Sequence, residues 1–201
     1  MKRKHRAVAV GAILLSLLAM VDAQADEGAA VKAIEKLGGK VKVDMEQPGM
    51  PVDTVDLSET KVTNAGLKPL KELKSLRLLG LISTKISDAG LKELKELKSL
   101  QSLHLANTNV TDAGLKELKE LPSLRTLGLS FTKVTDAGLV ELKEFKSLQS
   151  LNLENTAVTD AGLKELKELT SLRTLGLTGT NVTDLGLKEL KAALPELKIG
   201  R

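Results

Sequence analysis

Thr60, Thr84, Thr108, Thr132, Thr156 and Thr180 follow one another every 24 residues without a slip, and each opens nearly the same phrase. The copy from Thr108 to Phe131 reads TNVTDAGLKELKELPSLRTLGLSF, and neighbouring copies differ from it at few places. A fixed period between about 20 and 50 residues marks a solenoid. One copy cannot bury both of its apolar faces alone, so the copies must stack and share a continuous interior.

Two periodicities coexist within each copy. Leu103-His104-Leu105 alternates with period two, which predicts a short strand with the leucines turned inward and His104 outward. Leu91, Leu94 and Leu97 recur at i, i+3 and i+6 and predict one stripe of a helix, with Lys92, Glu93, Lys95 and Glu96 on the solvated side. On such a face an i,i+4 pair such as Lys92 and Glu96 adds only a few tenths of a kcal/mol. Asp88, Asp112, Asp136, Asp160 and Asp184 stand just before each helix, where their carboxylates are expected to cap its first turn, as Asn64 would in the first copy. The small Ala-Gly pair that follows suits close approach of neighbouring coils. The threonine row is expected to satisfy backbone groups where the chain leaves the strand.

The recurring segment Leu-x-x-Leu-x-Leu-x-x-Thr-x-Val, as at Leu100, Leu103, Leu105, Thr108 and Val110, resembles the leucine-rich repeat family. Thr replaces the more usual Asn in every copy, and the Thr-Asp-Ala-Gly-Leu stretch is similar to that of bacterial members. The resemblance implies an α/β leucine-rich-repeat solenoid, a curved right-handed superhelix with a parallel β-sheet on the concave side and α-helices on the convex side. Six strands are expected, beginning near Thr54, Leu78, Ser102, Thr126, Ser150 and Thr174.

Both ends of such a stack need lids. Val31, Ile34 and Leu37 have helical spacing, Gly38-Gly39 stops the helix, and Val41, Val43 and Met45 alternate as a strand. Pro48 to Pro51 turns the chain into Val52–Leu57, which fits the strand slot of the repeat. At the far end a helix from Asp184 to Ala193 closes the stack, and Leu197-Lys198-Ile199 is only the start of a further strand. Residues 1–25 join a basic start to an apolar run from Ala7 to Val21 and end on Ala23-Gln24-Ala25, the pattern of a cleavable signal peptide. The expected division is therefore a signal peptide over 1–25, an N-terminal cap over 26–51, leucine-rich repeats over 52–191 and a C-terminal cap over 192–201. Removing residues 1–25 takes away four basic residues and one acidic residue, which lowers the net charge from +4 to +1. A nearly neutral chain gives no electrostatic reason to expect nucleic acid.

Composition narrows the chemistry further. Aromatic residues make up 1% of the chain, so cofactor-stacking and base-stacking sites are not expected, and the absence of cysteine excludes disulfides, thiolate metal sites and a cysteine nucleophile. His104 is the only histidine after residue 25, and on the expected sheet its nearest outward carboxylate, Asp56, lies two strands away, roughly 10 Å. No catalytic residues, cofactor site or metal site are expected.

The outward positions between the paired leucines form the row Asp56, Gly80, His104, Gly128, Asn152, Gly176, flanked by mostly small hydroxyl residues. The surface is expected to be polar and nearly uncharged. Alternating glycines either record duplication of a pair of repeats or leave grooves beside His104 and Asn152. Phe131 breaks the pattern of a loop position held elsewhere by Glu59, Ser83, Asn107, Asn155 and Gly179, whereas Phe145 replaces a core leucine. Leucine-rich repeat proteins typically bind other proteins on the concave face. The expected function is thus an exported, monomeric module, periplasmic, cell-surface or secreted, that binds a protein or peptide through Asp56, His104, Phe131, Asn152 and Glu154. The alternatives are a self-associating envelope protein, joined through loops carrying Arg77, Arg125 and Arg173, or an inhibitor of an extracytoplasmic enzyme.

Overall fold

The computed structural model describes residues 25–201, so the expected signal peptide lies outside the described residues but for Ala25. Eight strands form one sheet in strict chain order: β1 (Lys40–Val43), β2 (Val52–Asp56), β3 (Leu78–Gly80), β4 (Ser102–His104), β5 (Thr126–Gly128), β6 (Ser150–Asn152), β7 (Thr174–Gly176) and β8 (Lys198–Gly200). β1 runs antiparallel to β2, and every later neighbour pairs in parallel. The register advances by one repeat at each step, so Leu79, Leu103, Leu127, Leu151 and Leu175 lie side by side, all buried. The parallel strands number seven where six are expected. Ile199 pairs with Leu175 and packs against the core, which draws the segment after the last helix into the sheet.

One aliphatic core runs the length of the stack, from Ala30 and Ile34 to Leu194 and Leu197. At its N-terminal end sits α1 (residues 25–36), and the Glu27 Oε1 accepts a 2.5 Å hydrogen bond from the Val52 N–H of β2. Gly38, at φ +83°, makes the turn from α1 into β1 in the left-handed region that glycine enters freely.

The convex side is built from shorter pieces than the leucine stripe suggests. They are α2 (Asp88–Leu91), α3 (Asp112–Glu117), α4 (Asp136–Leu139), α5 (Asp160–Leu166) and α6 (Asp184–Ala193). The first copy has instead a 3₁₀ segment, Asn64–Glu72, and 3₁₀ turns continue α2, α3 and α4 at Lys92–Leu94, Leu118–Glu120 and Val140–Glu144. Inward leucines spaced by three match the three residues per turn of a 3₁₀ helix. Lys92 and Glu96 therefore do not share a regular α-helix. The ion pairs run between coils instead: Lys98–Glu120 at 3.0 Å, Lys119–Glu141 at 2.5 Å, Lys146–Glu168 at 3.4 Å and Lys167–Glu189 at 3.1 Å.

The conserved-looking aspartates do not cap their own helices. The preceding threonine does: Thr111, Thr135 and Thr159 accept from the N–H of Ala113, Ala137 and Ala161. The first four aspartates instead reach the next coil, and Asp184, at the end of the stack, accepts from Arg201. Asp88 accepts from Thr111 N–H and from Thr111 Oγ1, both at 2.8 Å, and Asp112, Asp136 and Asp160 repeat the pair with Thr135, Thr159 and Thr183. In the first copy Asn64 substitutes, accepting from Ser87 N–H and donating to Ser87 Oγ. The glycine two residues after each aspartate is required by this contact, because a Cβ on Gly114, Gly138 or Gly162 would lie well under 3.0 Å from the aspartate of the preceding coil. The threonines at the strand exits act locally: Thr84, Thr108, Thr132 and Thr156 each donate to the leucine carbonyl three residues earlier.

Asp136→Ala leaves the Thr159 N–H without its acceptor and should lower unfolding free energy in urea by about 1–3 kcal/mol. Asp136→Asn, which recreates the Asn64–Ser87 arrangement, should cost less than half as much. Thr183, through its hydroxyl and its N–H, holds the Asp160 carboxyl below the ordinary carboxylate range. Its stabilisation is complete above the unfolded carboxyl value near about 4 and is lost as pH falls through the lower folded value. Melting temperatures of Asp160→Asn should accordingly fall less steeply than those of the parent between about pH 5 and 3.

Candidate functional site

Parallel register places Asp56, Gly80, His104, Gly128, Asn152, Gly176 and Gly200 in one row across the open face of the sheet. Asp56, His104 and Asn152 thus stand on alternate strands, roughly 10 Å apart. Asp56 is exposed, and His104 and Asn152 are half-buried. The glycines between them do not leave empty grooves. A Cβ on Gly80 would meet Asp56 Oδ1 at 2.6 Å, one on Gly128 would meet His104 Nδ1 at 3.4 Å, and one on Gly176 would meet Asn152 Oδ1 and Glu154 Oε1 at 3.2 Å. Each larger side chain therefore leans over the glycine of the next strand, and the alternation keeps the floor shallow.

Two of these side chains also serve the fold. Asp56 Oδ1 accepts from Ser58 N–H at 3.0 Å and Asn152 Oδ1 accepts from Glu154 N–H at 2.8 Å. The Ser58 hydroxyl and N–H, with Lys40 and His104 adding positive potential, hold the Asp56 carboxyl below the ordinary carboxylate range. Among the described residues no hydrogen bond fixes the His104 ring. Glu154 lies just beyond Asn152 on the same face, half-buried.

Phe131 lies at the rim, where the chain leaves β5, and its N–H donates to the Glu154 carbonyl at 2.9 Å. The structure therefore brings Phe131 and Glu154 to adjacent coils, whereas Asp56 is three strands away from β5. The Phe131 side chain is 59% exposed and its backbone is left-handed at φ +56°. Glu59, Ser83, Asn107, Asn155 and Gly179 share that conformation, so the loop imposes it whatever residue is present. A bulky residue there carries a backbone cost that Gly avoids.

The cap strand contributes groups the sequence reading left out. β1 pairs Lys40 with Asp56 and Lys42 with Thr54, which puts both lysines on the same face as the concave row. They line a basin of about 530 Å³ together with Asp56, Leu78, Ile82 and His104. At the opposite end Lys198 pairs with Thr174. The trough is thus charged at both ends and uncharged only in its middle. Alternation of Val41 and Val43 already implied outward lysines, but the antiparallel pairing that sets them beside Asp56 could not be read from the repeat. Among the described residues no three His, Asp or Glu side chains group as metal ligands.

The leucine-rich repeat family matches over four consecutive stretches, residues 96–119, 120–143, 146–167 and 168–191. The chain is a leucine-rich repeat protein. Solved leucine-rich repeat structures share its fold. An internalin (inlF) from Listeria monocytogenes is 23% identical with a TM-score of 0.59, covering 73% of this chain and 39% of that one. An internalin C2 (inlC2) of the same organism is 25% identical with a TM-score of 0.54, covering 74% and 70%. A leucine-rich repeat protein of Leptospira interrogans is 28% identical with a TM-score of 0.53, covering 67% and 33%. The chain thus spans about two fifths of the first of these proteins and a third of the last. A comparison with curated proteins finds no match.

Replacing Phe131 by Gly should raise unfolding free energy by about 1 kcal/mol relative to Phe131→Ala, since only glycine removes the left-handed backbone cost. Chemical denaturation of both variants measures the difference.

Proposed function

We propose that this leucine-rich repeat protein is an exported module that binds a protein or peptide on its concave sheet face and carries out no reaction of its own. The observation that carries the proposal is the concave face itself. Eight strands in one sheet turn a single face outward, from Lys40 and Lys42 at one end to Lys198 at the other. Leucine-rich repeats are typically protein-interaction modules, and that generality supports the same role here. Asp56, His104, Asn152 and Glu154 would meet the partner along the trough, and Phe131 would anchor it at the rim beside Glu154.

Absence of reaction chemistry follows from spacing. The hydroxyls near His104 belong to Ser102 and Thr126, and among the described residues no carboxylate is hydrogen-bonded to the ring to orient it. Export rests on the signal-like residues 1–25, with the cap over 26–51, repeats over 52–191 and a second cap over 192–201 as the working division. Among the described residues no helix is long and apolar enough to cross a membrane. Assembly through the arginine loops has little support: Arg77 pairs with Asp44 at 3.5 Å, and Arg173 donates to the Thr170 carbonyl at 2.8 Å. A monomer is therefore the working state.

The double variant His104→Ala/Asn152→Ala should capture at least tenfold less partner from the extracytoplasmic fraction of the source cells, with its melting temperature within about 2 °C of the parent. An equal loss in capture and in thermal stability, or no loss in capture, would sink the proposal.

A further inference from the structure

Two outward positions break the repeat on one strand. The position of Leu78 is otherwise Ser or Thr on every strand from β2 to β7, and the position of Ile82 is otherwise small or polar. Neither side chain is needed for the core, because Leu79 and Leu81 point inward in the same coil and are fully buried. Ile82 is 38% exposed, and Leu78 is half-buried. They are the large aliphatic side chains of the concave face, and both sit in the basin that Lys40 and Lys42 close on its N-terminal side.

The two lysines are not equivalent. Lys40 pairs across the ladder with Asp56, whose carboxylate offsets its charge, whereas Lys42 pairs with Thr54, which offers only a hydroxyl. Thr54 in turn pairs with Leu78. Lys42, Thr54 and Leu78 therefore form one transverse line, with a cation and an aliphatic side chain separated by two strand spacings, roughly 10 Å. That distance is about three residues of an extended peptide in the polyproline II form, at about 3.1 Å per residue, whose three-residue turn brings both side chains to the same face. The basin keeps a net positive charge, and a positive site with an aliphatic wall is complementary to a carboxylate carried near an aliphatic side chain.

We infer that this N-terminal basin is the gripping point of the concave face and that its occupant is an extended peptide segment of a protein, carrying a carboxylate about three residues from a leucine-like side chain. The inference rests on the concave-face reading above and names the chemistry of its partner. The carboxylate sits against Lys42, and the aliphatic side chain packs on Leu78, with Ile82 extending the apolar wall of the basin.

Fluorescence anisotropy tests this with a labelled probe peptide, acetyl-Gly-Asp-Gly-Ser-Leu-Gly-amide, beside its Asn counterpart and its Leu-to-Ser counterpart. The parent protein should bind the first at least tenfold more tightly than either control. Lys42→Glu should remove that preference. Leu78→Thr and Ile82→Ser, which install residues the repeat already carries at those positions, should each weaken binding at least fivefold without moving the melting temperature. No preference among the peptides, or unchanged binding in Lys42→Glu and Leu78→Thr, overturns the inference. In that event, partner capture that is still lost in His104→Ala/Asn152→Ala leaves the broader concave-face reading standing, and capture retained there removes both. Equal binding of a sulfated oligosaccharide that ignores Leu78→Thr also overturns it, because the basin would then be reading charge alone.

Discussion

Every contact described above depends on coils of equal length stacking in a fixed register. Because each coil takes 24 residues, an inward leucine lands beside its equivalent, and a side chain that reaches one strand over always meets the same kind of partner. The core supplies the driving force, at about 1.5–3 kcal/mol for each fully buried leucine, but no coil can realise it alone because its neighbours form the walls. Apolar burial is non-directional and does not choose a register by itself. The polar links do: Asp to Thr at 23 residues and Lys to Glu at 22 residues join adjacent coils on opposite flanks. A slip of one residue would bury an outward side chain on every strand and break both sets together.

The links differ in what they contribute. The ion pairs on the convex flank are exposed and salt-screened, so each is worth little. The Asp–Thr links from Asp88, Asp112 and Asp136 are half-buried and satisfy a backbone N–H, which makes losing one partner more costly than the pair's net worth. They also explain why glycine recurs two residues after aspartate, since the carboxylate occupies the space a side chain would need. Pro122 stands where Lys98 and Lys146 reach across, and a hollow lined by Pro122, Glu144 and Phe145 opens at that point. Phe145 helps to close it, being 6% exposed in a place the other coils give to leucine.

The period, the strand positions and the inward leucines were legible because each is a local pattern repeated until chance is excluded. Less legible was anything that joins one coil to the next. Asp88 in the sequence stands where an N-cap belongs, and only the stacked geometry shows that Ser87 occupies the cap position while Asp88 serves Thr111. Leucines three apart fit both helix types, and the short connection back to the sheet favours the narrower, longer-rising one over parts of the convex side. The seventh parallel strand was legible only as a beginning at Leu197-Lys198-Ile199, because a single tripeptide carries no periodicity of its own. At the site, the row Asp56, His104, Asn152 could be drawn from spacing. Lys40 and Lys42 could not, because they lie before the repeats and join the face through an antiparallel pairing.

In a repeat protein the residues that agree from coil to coil are those that stacking requires, so function has to lie among those that differ. Difference alone does not identify it. Phe145 and Pro122 differ, yet one is buried and the other lines a flank, and packing accounts for both. Leu78, Ile82, His104 and Phe131 differ and also face solvent, where the fold gains nothing from them, and Phe131 carries a backbone cost as well. Apolar side chains at solvent positions that a small or polar residue fills in every other coil cost solubility without adding to the core. The clustering of Leu78 and Ile82 beside the cap lysines therefore calls for an explanation outside the chain, and a partner's side chain is the simplest group able to supply the missing contacts.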